Sequence, residues 1–228
     1  MQTISISTSF PNEMPNTFLE KNYIRDCKTS RLLSINSFLS IILFFSLAGK
    51  SFAQSTINTI PVGQIITPYG EILIRLDDRT PKHKESFIEL ANAGYWDSLT
   101  FNRVIPNFVA QGGCPDTEEG FTDPEYLLKP EFVPELKHVY GAVGAGRDDN
   151  PNKLSARCQF YIVQNPEGIP RLDGDYTIFG HVIKGMSVVE QIVRVKRDSK
   201  DQPIKPVTLS VKIIEIPVTQ MENLSINP

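Results

Sequence analysis

Between residues 64 and 216 the sequence breaks into eight short runs of strand character and only two stretches at helical spacing, and this ratio restricts the possible folds more than any other feature. Residues 64–67 and 71–76 flank the turn-forming Pro68, Tyr69 and Gly70. In the second run Ile72, Ile74 and Leu76 alternate with Glu71, Leu73 and Arg75, so one face is plainly apolar. Residues 99–113 read as two strands bent at Pro106, and residues 141–146, 158–163, 176–182 and 207–216 supply four more. The first helix opens with Thr80 as cap and Pro81 at the first helical position, carries Phe87, Ile88, Leu90 and Ala91 at helical spacing, and stops at Gly94. The second spans residues 186–193, with Met186, Val189 and Ile192 on one side. Residues 114–137, rich in proline, and residues 147–157 read as loops. Some eight short strands with only two helices, one near each end, suggest a closed barrel rather than a layered α/β sheet. Side chains fill the interior of so small a barrel, which leaves its outer face or its ends for a site.

Residues 1–53 read as an N-terminal extension and signal peptide. Arg25, Lys28 and Arg31 precede the apolar run FLSIILFFSLA, residues 38–48, and Ser51, Phe52 and Ala53 form a small-x-small cleavage site. The run falls short of the roughly 20 apolar residues of a comfortable membrane span. Cleavage after Ala53 is the expectation, with a retained signal anchor or a buried helix as alternatives, and Met14 as an alternative start. AGKS at residues 48–51 lacks the first glycine of a phosphate-binding loop, whose place Phe44 takes, and is read as chance.

What remains is one domain over residues 54–220 with a short tail, 221–228. Cleavage removes five of the 23 basic and three of the 26 acidic residues, leaving 18 against 23 and a net charge of −5. With 40% hydrophobic and 21% charged residues the composition is that of a soluble globular protein. No basic cluster is present to neutralise a row of phosphates, so nucleic acid is not expected as a partner, nor is a membrane once the leader is gone. The domain reads as exported, and as periplasmic if the host has a double membrane. Cys27 leaves with the leader, and the two remaining cysteines, Cys114 and Cys158, permit one disulfide in an oxidising compartment.

FNRVIPNFVAQGG, residues 101–113, carries polar residues where strands favour apolar ones. Phe101, Arg103 and Ile105 share a face, and after the bend so do Val109 and Gln111. Each polar residue alone has an ordinary reading, an edge side chain that snorkels to water. Together they sketch a shallow apolar patch beside one placed cation and one amide. Buried polar groups demand partners, so such a patch suits a ligand with a polar backbone. His83, His138 and His181 are scattered without ligand spacing and read as structural or surface groups; no metal and no cofactor are expected.

FNRVIPNFVAQGG resembles the F-[H/N]-R-V-x-P-x-F-[M/V]-x-Q-G-G segment of cyclophilins, the peptidyl-prolyl cis-trans isomerases, here in a bacterial exported form. Cys158, Gln159, Phe160, Tyr161 and Ile162 are similar to the family's S-Q-F-[F/Y]-I strand. Residues 172–180, LDGDYTIFG, resemble its L-D-G-x-[H/Y]-x-x-F-G segment, and residues 182–186, VIKGM, its V-x-x-G-M. Order and spacing hold from about residue 60 to 217. The resemblance implies a mainly β fold, a closed eight-stranded antiparallel barrel capped by two α-helices, with a proline-binding groove on its outer face. It makes Arg103 the main catalytic residue, with Gln111 beside it as a contact to the substrate backbone. Phe108, Val109, Tyr161 and Leu172 become the proline pocket. Gly146 falls on the groove wall next to Arg147, which stands at a substrate-contacting asparagine, while Gln159 borders the groove and Tyr176 fills a place often held by histidine.

The implied activity is rotation about Xaa-Pro bonds, with no covalent intermediate, assisting the folding of exported proteins by a monomer. Its partners would be proline-containing peptides and unfolded exported chains. The alternative is a proline-peptide-binding or chaperone module with little isomerase activity. Arg171 stands where many family members have tryptophan, which implies weak cyclosporin binding. Arg157 replaces a small glycine near a secondary pocket, narrowing it or lying as a solvated loop arginine. Cys114 and Cys158 stand where the family usually has aspartate and serine, and read either as a disulfide or as two free structural thiols.

Overall fold

The period-2 pattern of the sequence becomes an antiparallel sheet whose inner face is the core. In the computed structural model, residues 58–114 and 126–221 are described. The predicted leader and the last seven residues of the tail lie outside them. The strands are β1 (Thr59–Thr67), β2 (Gly70–Leu76), β3 (Leu99–Phe101), β4 (Arg103–Ile105), β5 (Val109–Gly112), β6 (Leu127–Leu128), β7 (Ala142–Ala145), β8 (Ser155–Ala156), β9 (Phe160–Val163), β10 (Ile178–Lys184) and β11 (Val207–Pro217). The helices are α1 (Pro81–Asn92) and α2 (Met186–Val193).

Nine strands form one sheet in the order β3-β11-β1-β2-β10-β7-β9-β5-β4, and β6 pairs with β8 apart from it. The two edge strands, β3 and β4, are separated by Asn102 alone. Residues 99–105 therefore pair on one side with β11, where Phe101 faces Val207, and on the other with β5, where Arg103 faces Gln111. Taken as one broken strand they make the expected eight, and they nearly close the barrel. Such closure leaves little unpaired strand edge.

Ile65, Ile72, Ile74, Phe101, Val104, Val143, Phe160 and Ile162 fill the interior, and each is at most 1% exposed. α1 contributes Phe87, Leu90 and Ala91 to the same core, and α2 contributes Val188, Val189, Ile192 and Val193. β7 and β9 are buried on both faces, which explains their near-continuous apolar sequence. Leu73, expected on the polar side of β2, is buried too: it clusters outside the barrel with Val62, Ile183, Ile216 and Met221.

Three local expectations are corrected. Residues 99–113 form a hairpin, not a bent pair: β4 and β5 turn about Pro106, Asn107 and Phe108, with Asn107 at φ 58°. β10 begins at Ile178, so Tyr176 lies ahead of the strand. Thr80 caps α1 in position only, because its hydroxyl donates back to the Asp77 carbonyl at 3.3 Å. The acceptor for the free amides of the first turn is Glu131, whose carboxylate takes the backbone N–H groups of Lys82 and His83 at 3.1 and 3.0 Å. The His83 ring, buried behind it, lies 2.6 Å from the same carboxylate through Nδ1.

Candidate functional site

The two polar residues that interrupt the apolar runs are cross-strand partners. Arg103 on β4 faces Gln111 on β5, Gln111 faces Tyr161 on β9, and Tyr161 faces Gly144 on β7. Four strands thus place one row of side chains on the outer face of the sheet. The neighbouring row is Ile105, Val109 and Val163. Within the first row an Arg103 Nη donates to Gln111 Oε1 at 3.1 Å, so the amide holds the guanidinium over the apolar floor. That floor is a second hydrophobic cluster, separate from the core, of Val109, Ala142, Tyr161, Val163, Ile169 and Ile178, with Phe108, Leu136, Leu172 and Tyr176 packed against it.

Every residue assigned a catalytic or substrate-binding place from the sequence lines one open cavity of about 310 Å³: Arg103, Phe108, Val109, Gln111, Gly146, Arg147, Gln159, Tyr161, Leu172 and Tyr176. Arg171 joins them from the 3-10 turn Pro170–Leu172. Two glycines make room for this floor. A Cβ on Gly144 would lie 2.2 Å from the Tyr161 ring, and one on Gly146 would lie 2.1 Å from the Gln159 amide. Any other residue would push those side chains out of place.

Aromatic rings carry the cations of the groove. The Arg103 and Arg171 guanidinium carbons lie 5.8 and 5.0 Å from the centroid of the Phe108 ring, and that of Arg147 lies 4.4 Å from that of Tyr176. The Tyr161 and Tyr176 rings meet edge to face at 6.2 Å.

Two supporting residues were not assigned a role from the sequence. Tyr161 Oη lies 2.8 Å from His138 Nε2, and His138 Nδ1 lies 2.8 Å from Asp173 Oδ1, which also accepts the His138 backbone N–H at 2.9 Å. With Asp173 as acceptor, Nδ1 carries the proton, Nε2 is left to accept, and the tyrosine hydroxyl donates. Burial lowers the His138 pKa from 6.5 and outweighs the opposing pull of Asp173. Asp173 is itself pulled below the usual aspartate value: burial pushes it up, but the hydrogen bonds from His138 and the charge of Lys137 prevail. Burial raises the Tyr161 phenol well above its ordinary 10.0, so it stays a neutral donor.

Arg157 lies away from this groove. Its guanidinium donates to Ser86 Oγ at 2.8 Å and pairs with Glu89 at 2.6 Å, both on α1, beside a cavity of only about 10 Å³. Cys114 and Cys158 are joined by a disulfide, between β5 and the start of β9. A larger cleft of about 590 Å³, lined by Arg75, Asp77, Arg79, Glu135 and Lys137 among others, gathers none of the candidate residues. Among the described residues no group of three or more His, Cys, Asp and Glu side chains is placed to hold a metal ion.

The family model described as cyclophilin type peptidyl-prolyl cis-trans isomerase matches residues 62–213, from β1 to β11. The chain belongs to the cyclophilin-type peptidyl-prolyl cis-trans isomerases. This cyclophilin is 38% identical over 152 residues to a peptidyl-prolyl cis-trans isomerase of Schizosaccharomyces pombe, a match covering 64% of the present chain and 94% of the yeast protein. It is 34% identical over 139 residues to one of Arabidopsis thaliana, covering 60% and 82% of the two chains. Among solved structures it resembles a cyclophilin type isomerase of Cryptosporidium parvum, determined in the presence of the dipeptide Ala-Pro, with TM-score 0.61 and 28% identity over 67% of this chain and 98% of that one.

Proposed function

We propose that the groove of this cyclophilin binds an Xaa-Pro segment and that Arg103 lowers the barrier to its rotation. The observation that carries the reading is the Arg103–Gln111 pair, one hydrogen-bonded donor set beside the ring-lined floor of Phe108, Val109, Tyr161 and Leu172. The imide bond resists rotation because the nitrogen lone pair is delocalised into the carbonyl, a barrier of about 18–20 kcal/mol. In the twisted state that lone pair is localised and more basic. A guanidinium donating towards it stabilises a feature present only at the transition state. The apolar floor holds the ring while the preceding carbonyl turns, which supplies orientation. Lowering the barrier by about 7–8 kcal/mol accelerates rotation roughly 10⁵–10⁶-fold. No covalent bond forms or breaks.

Gln111, Gly146, Arg147, Gln159 and Tyr176 face the peptide on either side of the proline, and the Ala-Pro dipeptide of the Cryptosporidium relative supports a proline-bearing ligand. Arg171 in place of the family's tryptophan gives weak cyclosporin binding. Exchange NMR on an Xaa-Pro peptide with a catalytic amount of protein tests the reading. Cis-trans exchange cross-peaks are the expected result. Broadened peptide signals without exchange would leave a proline-binding module instead.

The biological setting we infer is the folding of exported proteins, by a monomer. The basic residues, apolar run and small-x-small site of residues 25–53 support export, and the disulfide fits an oxidising compartment. N-terminal sequencing of the exported protein should begin at Gln54. A start upstream of residue 38 would contradict it.

A further inference from the structure

We propose that the groove selects proline segments carrying an acidic side chain next to the proline, with Arg171 as the residue that selects. The inference rests on the isomerase reading and names a substrate class within it.

Three guanidinium groups, those of Arg103, Arg147 and Arg171, converge on one cavity of about 310 Å³. In a chain whose net charge is −3, this concentrates positive charge where ligand enters. Their counter-ions are few. Arg147 pairs with Asp175 at 3.1 Å, but Asp175 is shared with Lys153 at 2.6 Å. Among the described residues neither Arg103 nor Arg171 has a carboxylate within ion-pair distance.

Arg103 and Arg171 instead flank the same neutral ring, Phe108. Both present positive charge to the groove beside one ring, so a carboxylate entering it is attracted rather than repelled. Of the two, Arg103 is half-buried and committed to Gln111 through one Nη, whereas Arg171 is exposed at the rim on a 3-10 turn. Arg171 can therefore meet a side chain next to the bound proline without displacing the catalytic pair. Its planar fork matches a carboxylate with two parallel donors. Arg147, with its side chain only 7% exposed and stacked on Tyr176, contributes field rather than contact.

The test is kcat/KM of the full chain for matched peptides bearing Glu, Gln or Lys next to proline, one set with the variable residue before proline and one after it. At low salt the expected order in at least one set is Glu over Gln over Lys, with about tenfold between the extremes, and the spread shrinks as salt screens the charges. Arg171→Gln should collapse the spread and Arg171→Glu invert it; a merely structural role would move all three peptides alike. Equal rates for the three peptides in both sets, or an undiminished spread in Arg171→Gln, would overturn the inference while leaving the isomerase reading in place. Failure to turn over any of the peptides would overturn that reading and the inference with it.

Discussion

Tyr161 joins the hydrophobic and the polar sides of the groove. Its ring is part of the apolar floor of the groove, while its hydroxyl is tied through His138 to Asp173. That chain works with His138 neutral. Because burial holds the folded pKa of His138 below its usual 6.5, the unfolded chain binds more protons once the pH drops past that point. The resulting stability is complete above about pH 6.5 and is lost as pH falls through the lowered folded value. His83, also buried and lowered, adds to the loss with the same sign. Urea midpoints should accordingly fall on acidification below about pH 6.5, and a His138→Gln variant should start lower and fall less steeply. A flat profile would contradict the lowered pKa values of His138 and His83. At Arg103 the fork geometry matters as well as the charge: Arg103→Lys keeps the charge but loses the fixed contact to Gln111, and kcat/KM should fall by about 10–100-fold. The row of Arg103 and Gln111 was legible in the sequence because both break a period-2 pattern on one face. His138 was not, since its partners lie 23 and 35 residues away and nothing local marks their approach.

At the scale of elements, α1 shows how a correct local reading misassigns the interaction behind it. Thr80, Pro81 and the apolar spacing located the helix start, and the helix begins there. The cap itself comes from Glu131, 49 and 48 positions away from the amides it accepts. Burial raises the Glu131 pKa, but its hydrogen bonds from the His83 ring and the two backbone amides bring it below the usual glutamate value, so the carboxylate is charged at the positive end of the helix. Glu131→Ala should therefore cost about 1–2 kcal/mol. Thr80→Ala should cost less, having only a 3.3 Å bond to the Asp77 carbonyl to lose. Chemical denaturation of the two variants checks the order, and the reverse order would restore Thr80 as the cap. The strand ends erred for the same reason: Tyr176 has strand propensity, but its amide bonds to the Leu172 carbonyl in the turn that supplies Leu172 and Arg171 to the groove.

For the whole molecule, the barrel was readable because many short strand runs with only two helices suit a closed sheet, whereas the way it closes depends on residues 99–105 pairing in two directions around Asn102. The Cys114–Cys158 bridge spans 44 positions, and the chain-entropy account gives such a loop about 4 kcal/mol. Alkylation in denaturant without reductant should leave both cysteines unmodified, and Cys114→Ser with Cys158→Ser should lower stability by up to about that amount. Modification of either cysteine in the unreduced chain would rule the bridge out. The outer row of Arg103 and Gln111 is the part of this barrel proposed to turn a prolyl bond. The most direct test is cis-to-trans isomerisation of an Xaa-Pro peptide by the full chain beside Arg103→Ala. The expected result is a large acceleration that drops about 10²–10³-fold in the variant, while stability falls by no more than about 1 kcal/mol. Equal rates for the two proteins, or no acceleration by a folded, oxidised chain, would contradict it.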